Sequence, residues 1–325
     1  MFSVLVDGTA STWRPCERGV PQGSVLGPLL FLLYVNDMMR QVDCFWTAYA
    51  DDFKICAYFK REDGSDRIEQ LQQDINSVVW VSGDLNLVLN PSKCSVMCFG
   101  SGRALDSAAV YWMGGVALKY IESSRDLGVI VDNKLRFHSH VNLIVGKAGG
   151  LMNALFRTTV CRSVEFMTSL FVSNIRPLMD YCSPVWNVGF LMDVRKLESV
   201  QRRWSREVEG LREVEYTERL RRLGLFSIQG RLLRADLLKV WKIFHRNLDE
   251  RLVGLFEMAR ERRTRGHQLK MSIPICRTEV KRRSFGVRCV EEWNALPSEI
   301  VMSSSLELFK SRIDCYLSEK FFMVC

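Results

Sequence analysis

Asp51 and Asp52 stand side by side in Tyr49-Ala50-Asp51-Asp52, between two short runs, 44–48 and 53–59, rich in aromatic and β-branched residues. Such runs around a tight break read as a hairpin with the acidic pair at its tip. On a regular strand adjacent carboxylates point to opposite faces, whereas a turn lets both reach one site. Two like charges in contact repel, so the pair is tolerable when water covers it or a divalent cation sits between its members. Alone, an Asp-Asp turn is ordinarily a solvated surface turn. The neighbouring sequence decides between these readings.

Upstream lies Gly19-Val20-Pro21-Gln22-Gly23-Ser24-Val25-Leu26-Gly27-Pro28, a compact loop set by three glycines and two prolines. Gly23, without a Cβ, would let a ligand or backbone approach closely, and Gln22 offers both a donor and an acceptor. A Gly/Pro turn entering a core helix accounts for the glycines but not for Gln22. Pro28 suits the first turn of a helix over 28–40, which is almost wholly apolar through Val35 and is expected to be buried. Downstream, Leu85, Leu87 and Leu89 alternate as in a strand, Asn90-Pro91-Ser92-Lys93 breaks the pattern, and a second apolar strand is expected at 95–99. A lysine at such a turn is more often a surface charge than a catalyst.

These segments need a scaffold. Residues 2–6 alternate before Asp7-Gly8, a two-residue turn signal, and the chain returns through Trp13 as a hairpin. Ile68, Leu71, Ile75, Val78 and Val79 recur at helical spacing, an amphipathic helix covering one face of a sheet. Helices and antiparallel strands intermix without βαβ regularity, which predicts an α+β fold. From Val141 the pattern turns helical, with Val141, Ile144, Val145, Ala148, Leu151, Leu155 and Phe156 on one face. Gly146, Gly149 and Gly150 either weaken that helix or allow close packing.

With 325 residues, 47% of them hydrophobic, the chain can bury a substantial core in two or three domains. Eleven cysteines without a Cys-x-x-Cys spacing point to a reducing, intracellular setting. Cys94 with Cys98 and His138 with His140 complete no zinc site and read as ordinary core or surface residues. The longest apolar stretch, 29–35, is too short to span a bilayer, and the N-terminus lacks the charged region of a signal peptide, so a soluble, non-secreted protein without a membrane partner is expected.

Net charge is +8, unevenly placed. Residues 1–100 hold 8 Lys/Arg against 12 Asp/Glu, while residues 201–290 hold 23 against 11. A solvated helix face explains any single Arg-rich stretch; ninety residues with this excess favour a polyanion partner. Arg202, Arg203 and Arg206, then Arg219, Arg221 and Arg222, then Arg231 and Arg234 interleave with Trp204, Trp241 and Phe244, aromatics read as core rather than base-stacking. The clusters Arg262, Arg263 and Arg265 and Lys281, Arg282 and Arg283 lie near Gly266 and Pro274, which break regular structure, and are the better phosphate contacts.

Taken in order, the Gly19–Pro28 string, Tyr49-Ala50-Asp51-Asp52 and Leu89-Asn90-Pro91-Ser92-Lys93 resemble motifs B, C and D of a reverse transcriptase palm, of the non-LTR, LINE-type, jockey-like kind found in animals. The first string is highly specific, and order and spacing make the other two persuasive. Arg125-Asp126-Leu127-Gly128-Val129 with Asp132 and His140 looks like the hairpin leading to the thumb. Arg176-Pro177, Tyr181, Val185-Trp186, Arg263-Thr264-Arg265-Gly266-His267 and Trp293-Asn294-Ala295-Leu296-Pro297 look like the region beyond it.

The resemblance implies an RNA-directed DNA polymerase whose Asp51, with Asp52 beside it, holds Mg²⁺ for two-metal phosphoryl transfer to a primer 3′-hydroxyl. Pro21, Gln22, Gly23 and Ser24 would border the template base and incoming deoxynucleoside triphosphate. Lys93 would be a proton donor to pyrophosphate, and Leu127 and Gly128 would hold the primer end. The implied partners are an RNA template and a DNA primer or RNA/DNA hybrid, in nucleus and cytoplasm. The implied organisation is a partial palm over 1–118, a palm–thumb hairpin over 119–140, thumb-like helices over 141–205 and a basic, mostly helical region over 206–325. Such palms draw another metal-binding aspartate from a motif A strand behind fingers. Here eighteen residues precede Gly19 and Asp7 is committed to its turn, so the isolated chain is expected to be catalytically incomplete. The alternative is a non-catalytic nucleic-acid-binding remnant.

Overall fold

The structure, a computed structural model, describes residues 3–15, 23–59, 66–100, 109–246, 250–259 and 266–321. It is mixed α and β and divides into two compact units, Met1–Glu122 and Ser123–Cys325.

The first unit opens with β1 (Leu5–Val6) and β2 (Thr9–Ala10), an antiparallel hairpin. Asp7 and Gly8 between them both take positive φ, 47° and 80°, as a type I′ turn requires. Helix α1 (Gly27–Asn36) follows, carrying Pro28 in its first turn, and the Ser24 hydroxyl accepts the Gly27 N–H at 3.0 Å ahead of it. Next come β3 (Phe45–Tyr49), β4 (Asp52–Cys56) and α2 (Asp66–Asp84). The short strands β5 (Ser95–Val96), β6 (Trp112–Met113), β7 (Val116–Ala117) and β8 (Lys119–Tyr120) end the unit. β3 pairs with β4 and β6 with β7 antiparallel, while β5 pairs with β8 parallel. Among the described residues the strands form separate two-stranded ladders rather than one continuous sheet.

Helix α2 lies between two cores. Val78 and Val81 join Val35, Met38, Met39, Val42 and Cys44, with Trp46, Phe53 and Ile55 of the hairpin packed against them. One turn earlier, Ile75 joins Tyr111 and Leu118.

Two expectations change. Helix α1 is not buried: Leu29, Leu30, Leu32 and Leu33 are each about half exposed, and within the helix only the Phe31 and Val35 stripe reaches the core. An all-round apolar sequence permits burial on every face, yet burial needs an opposing surface, and the described residues supply one on a single side. Leu85, Leu87 and Leu89 form no strand either, because Asn86 turns to φ 55° and the three side chains instead pack individually onto the first core.

The second unit begins with hairpin β9 (Ser123–Asp126) and β10 (Val129–Asp132), then becomes helical. Asp132 ends the hairpin by accepting the N–H groups of Lys134, Arg136 and Phe137, the last at 2.6 Å. There follow α3 (His138–Thr158), α4 (Val164–Leu170), a π-helical turn Phe171–Ile175, α5 (Arg176–Asp180), α6 (Ser183–Trp186), α7 (Leu191–Arg206), α8 (Tyr216–Leu223) and α9 (Ile228–His245). The short α10 (Glu250–Val253), α11 (Glu279–Arg283), α12 (Phe285–Arg288), α13 (Val290–Ala295) and α14 (Ser298–Val301) precede α15 (Leu306–Phe321). Ile228 and Leu232 of α9 belong to a core around Phe171, Trp186 and Trp204. Leu237, Val240 and Trp241 of the same helix belong to a second core around Trp293 and Phe309. Trp204 and Trp241 are therefore core residues. Around Gly146, Gly149 and Gly150 a Cβ would meet nothing within 4 Å, so close packing does not account for them. Among the described residues no helix is long and apolar enough to cross a membrane.

Candidate functional site

Cross-strand register fixes the faces of the acidic hairpin. Tyr49 pairs with Asp52, Ala48 with Phe53, Thr47 with Lys54, Trp46 with Ile55 and Phe45 with Cys56. Phe53, Ile55 and Trp46 point into the core, so Asp52 shares the opposite, outward face with Tyr49 and Lys54. Ala50 adopts φ 54°, a left-handed conformation costing about 1 kcal/mol for a residue with a Cβ. That strained alanine and Asp51 make the two-residue connection that puts Asp51 next to Asp52. Both acids are exposed, and among the described residues neither carboxylate is paired.

The hairpin is pinned from below. Asp74 of α2, almost fully buried, accepts the N–H of Cys44 at 2.9 Å and of Asp43 at 3.1 Å, at the entry to β3. Burial pushes the Asp74 carboxyl up, but hydrogen bonds from the Cys44 thiol and N–H, the Asp43 N–H and Gln70 outweigh it and leave it below its ordinary value. The Cys44 thiol, buried beside that carboxylate, is pushed up to about 12. Nothing in the spacing of the sequence marks Asp74, whose partners lie some thirty residues back. Its only signal is an acid on the apolar side of an amphipathic helix.

The other sequence-derived positions fall as follows. Pro21 and Gln22 lie outside the described residues, as do Arg262, Arg263 and Arg265. Gly23 takes φ 83° with open space where a Cβ would stand, and Ser24 leads into α1. Lys93 ends the 3-10 turn Pro91–Lys93, exposed, its loop closed by Asn90 accepting the Ser92 N–H at 3.1 Å. Phe31 and Val35 of α1, the hairpin's inner face and Leu85, Leu87 and Leu89 share one core. The segments bearing Ser24, Asp51 and Lys93 are thus mounted on a common support.

In the second unit Leu127 and Gly128 form the turn of the β9–β10 hairpin, at φ 43° and 90°. Arg202 and Arg203 are exposed in the last turns of α7, Arg203 donating to Asn153 of α3 at 2.7 Å. Lys281 and Arg282 are exposed on α11, but Arg283 is turned inward. It donates to Glu279, to the carbonyl oxygens of Val188 and Gly189 at 3.1 and 3.0 Å, and lies 4.3 Å from the Phe190 ring centroid. Several arginines of the basic half are likewise neutralised internally: Arg231 by Asp180, Arg234 by Asp314, Arg288 by Asp236, and Arg221 and Arg222 by Glu218. Among the described residues no three His, Cys, Asp or Glu side chains converge as a metal site.

Residues 1–140, which include all three segments of the first unit and the β9–β10 hairpin, match the model of the family described as reverse transcriptase (RNA-dependent DNA polymerase). This part of the chain is similar to reverse transcriptase domains, and the relatives it resembles are retrotransposon polymerases. The chain is 25% identical over 248 residues to the RNA-directed DNA polymerase from mobile element jockey of Drosophila melanogaster, covering 69% of this chain and 26% of that protein. It is 25% identical over 220 residues to the corresponding jockey polymerase of Drosophila funebris, covering 64% of this chain and 24% of that protein. The chain thus spans about a quarter of the length of these curated relatives. No solved structure matches it.

Proposed function

We propose that the first unit is part of a polymerase palm for RNA-directed DNA synthesis and that the second binds the template–primer duplex. The observation that carries this is the Asp51-Asp52 tip: two adjacent, exposed, unpaired carboxylates on a hairpin whose inner face shares a core with the segments bearing Ser24 and Lys93. Hard carboxylate oxygens suit Mg²⁺, which takes one or two of them and completes its shell with water and substrate phosphate. Asp51 and Asp52 would hold it. A bound Mg²⁺ supplies charge neutralisation at the phosphates and a more acidic 3′-hydroxyl.

The chain's own residues do the rest. The Ala50 turn sets Asp51 beside Asp52, and Asp74 fixes the strand that carries them. The Lys93 ammonium carries a proton it can give to departing pyrophosphate. Gly23 presents backbone without a Cβ to template or nucleotide beside Pro21, Gln22 and Ser24. The Leu127–Gly128 turn supports the primer end. Arg202, Arg203, Lys281 and Arg282 meet phosphates with little sequence preference, joined by Arg262, Arg263 and Arg265.

On this reading the isolated chain is catalytically incomplete, because the resemblance calls for a further metal-binding aspartate beside Asp51 and Asp52. This also favours the second reading, a binding remnant without catalysis. Primer extension on an RNA template with Mg²⁺, beside binding of an RNA/DNA hybrid, tests both. Hybrid binding that weakens steeply with salt and negligible nucleotide incorporation are expected. Robust incorporation abolished by Asp51→Asn would overturn the incompleteness, and absent or salt-insensitive hybrid binding would overturn the role of the second unit.

A further inference from the structure

Helices α3 and α7 lie side by side in the same direction, bridged at three levels by His138 to Asp193, Asn142 to Lys196 and Asn153 to Arg203. The two asparagines are about three helical turns apart on α3 and the two cations about two turns apart on α7, so both of these bridges lie on one exposed seam. The charge along it has one sign. Helix α3 contains no acid, and the two acids of α7 are buried and turned inward: Asp193 meets His138, with Lys196 at 3.8 Å, and Glu198 accepts the Tyr216 hydroxyl and the Ile228 N–H. Every exposed charged residue on the two helices is a cation.

The way these cations are held sets them apart. Lys196 Nζ and Arg203 Nη2 each donate to an asparagine Oδ1 at 2.7 Å, whereas Arg231, Arg234 and Arg288 of the same unit are each met by an aspartate. A neutral amide oxygen aims a cation without cancelling its charge. Among the described residues Arg195 and Arg206 form no ion pair with an acid. Arg202 is the least free of the row, stacking 4.1 Å from the Tyr216 ring centroid with Glu198 acting favourably on it.

The bland explanation is a solvated helix end. The carbonyl end of α7 does favour Arg203 and Arg206 in its last turn, but Arg195 stands in the second turn, nearer the positive end, and Arg202 and Arg206, four apart, repel. A helix face built for water alone ordinarily interleaves both signs. From Arg195 to Arg206 the row rises about 16 Å, a length over which one strand of a duplex places about five phosphates. Glu207 and Glu209 follow directly and end it. On the α3 side Gly146, Gly149 and Gly150 leave open space where a Cβ would stand, which gives a strand room to lie against the helix.

We propose that the α3–α7 seam is where one strand of the duplex backbone lies, with Arg195, Lys196, Arg203 and Arg206 meeting its phosphates, and that Asn142 and Asn153 are positioning residues that aim two of those cations. This rests on the reading of the second unit as a duplex-binding part, and it deepens that reading by naming the surface.

The test uses the full chain and a fluorescein-labelled RNA/DNA hybrid, followed by anisotropy across a salt series, with thermal unfolding of every variant alongside. Arg195→Gln with Arg206→Gln should lower the log–log salt slope by about two. Arg221→Gln with Arg222→Gln removes as much charge from residues already paired with Glu218 and should lower it far less. Asn153→Asp keeps an acceptor for Arg203 but cancels its charge, and should lower the slope by about one without lowering the Tm. Equal slopes for the two double variants, with wild-type binding intact, overturn the seam and leave the binding reading standing. An unchanged slope in Asn153→Asp overturns the positioning role. Seam-dependent binding of polyglutamate that exceeds binding of the hybrid makes the partner an acidic protein and overturns the proposal. Absence of hybrid binding by the wild type overturns the binding reading itself.

Discussion

The hydroxyl of Tyr181 donates to the carbonyl oxygen of Leu127 at 2.9 Å, and its ring stands 3.3 Å from where a Cβ on Gly128 would lie. The turn assigned to the primer end is thus buttressed by a residue more than fifty positions away. Tyr181→Phe should cost about 1 kcal/mol of stability in urea unfolding, the net worth of one hydrogen bond. Gly128→Ala should cost more than about 1 kcal/mol, since φ 90° disfavours any side chain and the added methyl meets Tyr181. Equal stability of Gly128→Ala and wild type would show that the turn is free to relax.

Asp74 ties α2 to the acidic hairpin, and its carboxyl lies below the ordinary value. A lowered folded value means that its contribution is fully present above the unfolded pKa, about 3.9, and is lost as pH falls through the folded one. Asp74→Asn sets an amide nitrogen against a backbone N–H and should destabilise the first unit at pH 7 by about 1.5–3 kcal/mol. The gap between variant and wild type should narrow as the pH is taken to 3, read by urea titration at both values. A gap that stays constant contradicts this account.

His140 is buried, its Nδ1 accepts the Ile130 N–H at 3.2 Å, and its Nε2 has no partner. Burial first, then the cations Lys147 and Arg125, hold its pKa below the usual histidine value. The neutral ring is therefore the folded form, and the stability it brings is complete above about 6.5 and lost as pH falls through the lowered value. Unfolding free energy of the second unit should drop between pH 7.5 and 5. His140→Asn, whose amide oxygen can keep the Ile130 bond, should flatten that dependence, checked by guanidinium titration across the same range.

Asp236 and Arg288 form a buried pair, with both guanidinium contacts at 2.9 Å, and Arg288 also reaches the Pro184 carbonyl oxygen at 2.8 Å. Asp236→Asn leaves the arginine charge buried and should cost about 3–5 kcal/mol, whereas the double change Asp236→Leu with Arg288→Met should recover most of it. Calorimetry of the three variants separates a lost attraction from a stranded charge.

Much of this was legible in the sequence for a physical reason: local rules act over a few residues. Asp7-Gly8 encodes its turn, the apolar spacing of α2 and α3 encodes two helices, and the two aromatic-rich runs encode a hairpin that brings Asp51 to Asp52. Over-reading occurred where a local pattern needed a distant surface to complete it. The apolar run of α1 encodes a helix but not what covers it, and the alternation of Leu85, Leu87 and Leu89 encodes apolar contact but not a pairing partner.

The sequence by itself determined the likeness of residues 1–140 to reverse transcriptases, the acidic tip and the segments around it, because those are contiguous strings whose chemistry is written in order. Only the tertiary structure decided which charges are free. Ion pairing depends on what folds opposite, and opposite residues are tens of positions apart: Arg231 finds Asp180, Arg234 finds Asp314 and Arg288 finds Asp236. A basic stretch that looks uniform in sequence is thereby sorted into arginines that hold the fold and others, such as Arg202 and Arg203, that stay exposed.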